Sequence, residues 1–157
     1  ILLQDFNPKT NEAMSEKTAD LMVRMLQGVV DGVYNSHADV TMGTGVRLRR
    51  KYKFENEIGG KTGTTQNNSD GWFMGITPNL VTGVWSGNED RSVRFRNTSY
   101  GQGANMALPV WAEFMQKVYA DSLSLGIYPE SFEIPQSTDV LLDCGSRNEN
   151  IEEHEEF

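Results

Sequence analysis

The sequence predicts an α+β fold in which an antiparallel β-meander packs against helices, and three observations predict it. Apolar residues recur at helical spacing over residues 16–33 and again over 105–120. Between them, "DGWFMGITPNLVTGVWSG" alternates in character along two short runs joined by a turn. Adjacent strands joined by so tight a turn are antiparallel.

Each element follows from its residues. Ser15 is an N-cap, and Met22, Met25, Leu26, Val29, Val30 and Val33 fall on one helical stripe, so residues 16–33 are expected to form an amphipathic helix with that methionine-rich stripe in the core. After the glycine turn of "MGTG", Phe54 and Ile58 point one way with Asn56 between them, which predicts a strand running from about residue 54 to 64. Trp72, Met74 and Ile76 share one face of a strand over 70–77, "TPN" turns, and a third strand covers 80–87. Residues 88–103 read as a polar loop, with Ser86-Gly87-Asn88 a strand-end turn. The helix after that loop tolerates Pro109 near its start and is apolar around most of its circumference, so it is expected to be covered on two sides. Beyond it, the prolines of "GIYPESFEIPQSTDVLLDCG" space out an extended linker with room for one strand. The expected division is 1–121 for the folded unit and 122–157 for the linker and acidic tail.

Composition narrows the function. The chain has 157 residues, 38% of them hydrophobic, enough to bury a core. Its formal charge of −8 belongs to its end: residues 1–120 hold thirteen basic and twelve acidic residues, whereas 121–157 hold one arginine and ten acidic residues. A nearly neutral body argues against nucleic acid as a partner, since such binding is driven by counterion release. The single cysteine, Cys144, has no partner for an internal disulfide, and His37 and His154 stand far apart, so neither a metal nor another cofactor is expected. No apolar run reaches the roughly 20 residues a membrane-spanning helix needs. The opening "ILLQDFNPKTNEAM" has no signal pattern, and the chain reads as a piece of a longer one.

The motif that carries chemistry lies in "GGKTGTTQNNSDGWFMG", residues 59–75. A phosphate loop fails here because Glu55 occupies the place of its first glycine, Glu57 adds negative charge, and the residues after Lys61 turn instead of opening a helix. The fragment "GQGANM" lacks the third glycine of a dinucleotide fingerprint. A Lys-Thr-Gly element on a strand beside a cleft fits better. There Lys61 supplies a fixed positive charge, Thr62 and Thr64 supply hydroxyls for a carboxylate, Gly63 leaves room for a peptide, and the Thr64 amide is free to donate. Two other readings compete. Lys61 could be a surface lysine in a glycine turn, and "RLRRKYK" (47–53), with basic residues around Tyr52, could be a solvated strand edge or a module that binds nucleic acid or an anionic glycan.

Context favours the Lys-Thr-Gly reading. "GTGVRLRR", then "GGKTGTTQNNSDGWFMGITPNLVTGVWSGNED", then "YGQGANMALPVWAEFM" resembles, in order and spacing over residues 15–120, the C-terminal half of the transpeptidase domain of class A penicillin-binding proteins. The resemblance implies a penicillin-binding/β-lactamase-like transpeptidase fold and a serine D,D-transpeptidase that cross-links peptidoglycan stem peptides through an acyl-enzyme and is acylated by β-lactams. It implies that Lys61 is catalytic, that Thr62, Gly63 and Thr64 bind substrate, and that the Thr64 backbone amide is an oxyanion donor.

The chain also departs from that family. No serine here has a lysine three residues later, so the Ser-x-x-Lys nucleophile is missing, and Ser-x-Asn occurs only downstream of Lys61, at Ser86 to Asn88 and at Ser146 to Asn148. The chain is therefore expected to be inactive alone and to have the N-terminal remainder of the same protein as a partner. That remainder would carry the nucleophile, a glycosyltransferase domain and a membrane anchor, which implies the extracytoplasmic (periplasmic) face of a bacterial membrane. An exposed strand edge left by half a domain implies a homodimer of the isolated chain.

Overall fold

The computed structural model of the chain describes residues 11–35 and 38–133. Ser15 caps the first helix, α1 (Glu16–Asp31), its hydroxyl accepting from the Thr18 amide. The helix stops two residues before the expected end because Gly32 takes a φ of 83°, and its N–H closes the last turn on the Gly28 carbonyl. Two short antiparallel strands come next, β1 (Val33–Asn35) and β2 (Val40–Met42), a hairpin that the hydrophobic pattern did not announce. Its side chains are mostly exposed, so no apolar alternation was needed to form it.

The methionine-rich stripe is not core. Met22 and Met25 are exposed, Met25 by 57%, and so is Val33; on α1 only Val30 is fully buried. The cause is the narrow footprint of α1. It lies along the start of strand β3 (Gly59–Thr64), where Leu26 approaches Gly59 and Val30 approaches Gly60. The methionines fall outside that contact.

The expected strand over 54–58 is corrected as well, together with the strand-edge reading of 47–53. Arg47–Arg50 form a single helical turn, α2, and residues 51–58 are irregular, with Lys53 at a φ of 60°. A strand needs a neighbour for its backbone groups. Here arginine takes that role: Arg49 donates from Nη1 to the carbonyls of Phe54 (2.9 Å) and Asn56 (2.6 Å). Phe54 and Ile58 are nonetheless buried, as their apolar character requires.

The three-stranded meander is present in the order β3, β4 (Gly71–Thr77), β5 (Leu80–Ser86), antiparallel throughout. Gly63 pairs with Trp72 and Lys61 with Met74; Trp72 in turn pairs with Trp85. Trp72 and Met74 share the expected face with Ile76, but burial falls on the other one, where Phe73 is fully enclosed and Gly71, Gly75 and Thr77 are buried. A long helix decides this. After a short α3 (Thr98–Gly101) inside the polar loop, α4 (Gly103–Ala120) crosses that face, burying Ala107, Leu108, Trp111, Ala112, Met115 and Val118. Trp111 meets Phe73 edge-on at 5.2 Å between ring centres and Phe54 at 6.1 Å. Among the described residues α4 is covered on one side only, with Val110 and Phe114 exposed.

A final turn, α5 (Ser122–Leu125), leads to non-helical residues 127–133, which return to the body: the Phe132 amide donates to Glu57 (2.8 Å) and the Asn79 amide group to Glu130 (2.5 Å). The rest of the expected linker, Cys144, the acidic tail and His37 lie outside the described residues. Among the described residues no helix is long and apolar enough to cross a membrane.

Candidate active site

Strand β3 is paired with β4 on one side and, among the described residues, has its other edge free of strand partners. The direction of its peptide groups is fixed by one hydrogen bond. The Thr65 N–H donates across to the Asp70 carbonyl at 3.0 Å. Successive peptide groups of a strand point to opposite edges, so the N–H of Thr64 and the N–H and C=O of Thr62 face the free edge.

Lys61 reaches the same edge. Its side chain leaves from the Trp72 and Met74 face, and its Nζ donates to the Thr62 carbonyl at 2.8 Å. It is exposed, and among the described residues no carboxylate pairs with it; Arg49 and Asp31 form an ion pair elsewhere, at 2.6 Å. An ammonium and an outward N–H thus stand on one strand edge. That is a donor set suited to an anionic or developing negative oxygen.

The two threonines on the opposite face are already tied. Thr62 donates from Oγ1 to Thr44 Oγ1 at 3.0 Å, and Thr64 Oγ1 accepts from the Gly103 amide at 3.1 Å. Thr64 therefore keeps its own hydroxyl proton for another acceptor, and Thr44 does the same after accepting from Thr62. Thr44, in "GTG" before α2, and Gly103 were not singled out from the sequence. Nothing local marks them, since they meet β3 from 18 and 39 residues away. Gly63 turns toward its neighbour: a Cβ there would lie 3.1 Å from Trp72 Cβ.

The strand end is held by a polar turn. Thr65 Oγ1 accepts from the Asp70 amide at 2.9 Å and lies 3.0 Å from Asp70 Oδ2, which also accepts from Ser69 Oγ at 3.0 Å. Asn67 and Asn68 take left-handed conformations between them, with φ of 62° and 56°, which asparagine adopts more readily than most residues. Ser69 and Asp70 are buried, so the turn is part of the packed body.

A pocket of about 300 Å³ lies beyond this turn, bounded by Ser69, Gly87, Arg94, Phe95 and Met106. Lys61, Thr62 and Thr64 do not line it. The candidate site is the open strand edge.

The three arginines of the basic stretch 47–53 are used internally. Arg47 donates to the Ala104 carbonyl (3.0 Å), Arg49 to Asp31 and to the Phe54 and Asn56 carbonyls, and Arg50 to the Thr41 carbonyl (3.2 Å). These guanidiniums bind the start of α4, strand β2 and the irregular segment 51–58.

No protein-family model matches the chain. Individual proteins do. The chain is 31% identical over 141 residues to penicillin-binding protein 1A of Aquifex aeolicus, an alignment covering 89% of this chain and 16% of that protein. It is 34% identical over 105 residues to penicillin-binding protein 1A of Neisseria flavescens, covering 66% of this chain and 11% of the relative. With penicillin-binding protein 1A of Escherichia coli K12 the identity is 37% over 87 residues, covering 48% of this chain and 10% of the relative. The chain thus spans 10% to 16% of the length of these three curated relatives.

Proposed function

From the homology of this chain to the penicillin-binding protein 1A family, we propose that it supplies the Lys-Thr-Gly strand of a serine D,D-transpeptidase that cross-links peptidoglycan stem peptides and is acylated by β-lactams. The observation that carries the proposal is the free edge of β3, where the Lys61 ammonium and the outward N–H of Thr64 stand together.

In this reading a stem peptide lies along that edge. Lys61 and the free hydroxyl proton of Thr64 receive its terminal carboxylate, with Thr62 fixed beside them by Thr44. A serine from a Ser-x-x-Lys motif, which this chain does not contain, attacks the penultimate carbonyl carbon. The carbonyl oxygen takes up the electron pair as an oxyanion and is met by the Thr64 N–H. Collapse expels the terminal D-alanine, which takes a proton as it leaves. An amino group of a second stem then attacks the ester and regenerates the serine. A β-lactam goes through the first half, its ring C–N bond breaking in place of the peptide bond. Lys61 contributes by holding positive charge where negative charge gathers.

The partners in this proposal are the stem peptide, β-lactams and the nucleophile-bearing remainder, at the extracytoplasmic face of a bacterial membrane. The alternative of a basic-strand module for nucleic acid or anionic glycan has little support, because the arginines it needs are engaged with Asp31 and with backbone carbonyls.

Labelled penicillin and intact-mass spectrometry test the proposal. The chain alone is expected to form no penicilloyl adduct, and the full-length protein carrying the nucleophile to form one per molecule. In that protein Lys61→Ala should slow acylation by about tenfold or more with the fold retained. A stoichiometric adduct on the chain alone overturns the missing nucleophile, and acylation of Lys61→Ala within about twofold of the parent overturns the role of the lysine.

A further inference from the structure

We infer that Gly103, the first residue of α4, is a positioning residue that sets where the end of the Lys-Thr-Gly strand lies. The inference rests on the proposed role of β3 but concerns a residue outside that strand. Gly103 donates its N–H to Thr64 Oγ1 at 3.1 Å, and it also sits directly on the backbone of the β3–β4 pair. A Cβ at position 103 would lie 2.3 Å from the Trp72 carbonyl oxygen and 2.4 Å from that of Gly63. Both are main-chain atoms of directly paired residues, and neither can rotate aside. The contact is reciprocal: a Cβ at Gly71, the partner of Thr64, would come within 3.1 Å of Gly103 Cα.

Which side would yield to an added methyl is decided by how each is held. The middle of α4 is pinned to the sheet by Trp111, whose ring fills the space above Gly75 and whose Nε1 donates to Thr82 at 2.6 Å. Strand β4 is paired on both sides. Strand β3, among the described residues, is paired on one. Part of the displacement therefore falls on Gly63 and Thr64, at the end of β3, which carry the outward N–H and the hydroxyl assigned to the oxyanion and the carboxylate. A misplacement of about 1 Å at a reacting centre can cost on the order of 10² in rate. The Gly103 amide adds orientation: with Thr64 Oγ1 accepting from it, the threonine proton is directed elsewhere.

The test measures acylation by a labelled penicillin in the full-length protein bearing Gly103→Ala, with Lys61→Ala alongside. Rate and labelled fraction are read separately, and the fold is monitored by circular dichroism. Gly103→Ala is expected to slow acylation by about tenfold or more in the molecules that react, while most molecules still label. A merely structural defect lowers the labelled fraction and leaves the rate of that fraction unchanged, and this outcome overturns the inference. Gly71→Ala presses on the same contact less severely and is expected to slow acylation by a smaller factor; it serves where Gly103→Ala does not fold, and a parental rate for it then overturns the inference. If Lys61→Ala is slow and Gly103→Ala keeps the parental rate, the positioning role falls and the function stands. If Lys61→Ala also keeps the parental rate, the assignment of the strand falls with it.

Discussion

The indole of Trp111 occupies the space that a side chain at Gly75 would need. A Cβ there would lie 2.3 Å from two of its ring carbons. The absent side chain lets α4 settle on the meander, with the ring against Phe73 and its N–H satisfied by Thr82. Gly75→Ala is therefore an overpacking substitution in a closed core and is expected to destabilise the protein by about 1–3 kcal/mol. Trp111→Ala, which empties the same space, should cost about 3–5 kcal/mol. Denaturant midpoints compare the two; a parental midpoint for Gly75→Ala would show that the ring can move away freely.

Thr65 anchors the turn that ends the candidate strand. Its hydroxyl oxygen is the acceptor for the Asp70 amide, and Asp70 is buried. Thr65→Val removes that acceptor at nearly constant volume and is expected to cost about 1–3 kcal/mol, the penalty for a buried donor left without a partner. Thr65→Ser retains the oxygen and should recover most of the loss. Equal losses in the two variants, measured by chemical denaturation, would locate the effect in the methyl group.

Arg49 combines two kinds of interaction that substitution can separate. Its pair with Asp31 is half-exposed on the acid side and is worth at most about 1 kcal/mol, so Asp31→Ala should have a small effect. Its bonds to the Phe54 and Asn56 carbonyls hold residues 51–58 in place of a strand ladder, and Arg49→Ala is expected to cost about 2 kcal/mol. Arg49→Lys cannot span both carbonyls and the carboxylate and should restore less than half. Thermal unfolding of the three variants gives the order; a lysine variant as stable as the parent would show that charge alone suffices.

The sheet face opposite α4 bears Trp72, Met74, Val81 and Trp85, all exposed, Val81 by 66%. Among the described residues both outer strands also present free edges. Apolar surface beside unpaired strand edges favours association, so the isolated chain is expected to dimerise, and Val81→Lys on strand β5 to weaken the dimer. Light scattering across concentration reads this. A clean monomer at high concentration would mean that the face is tolerated in water.

The order of helix and meander, the turn at Pro78 and Asn79, and the Lys61 to Thr64 strand were legible in the sequence. Each depends on neighbours a few residues apart: a cap at Ser15, alternation around Trp72, a tight turn between two strands. Tertiary structure decided the rest. Periodicity tells which residues share a face, but not which face meets a neighbour. The sheet therefore buries Phe73 and leaves Trp72 exposed, because α4 lands on the Gly75 side, and Met22 and Met25 stay exposed because α1 touches β3 along a narrow strip. Residues 51–58 have strand-like alternation, yet Arg49 satisfies backbone carbonyls that a ladder would otherwise take. At the candidate site the sequence by itself determined which strand bears the ammonium and the threonines. That Thr44 and Gly103 hold those threonines was decided by packing, since hydrogen bonds across 18 and 39 residues exist only once the turn before α2 and the start of α4 have met the sheet.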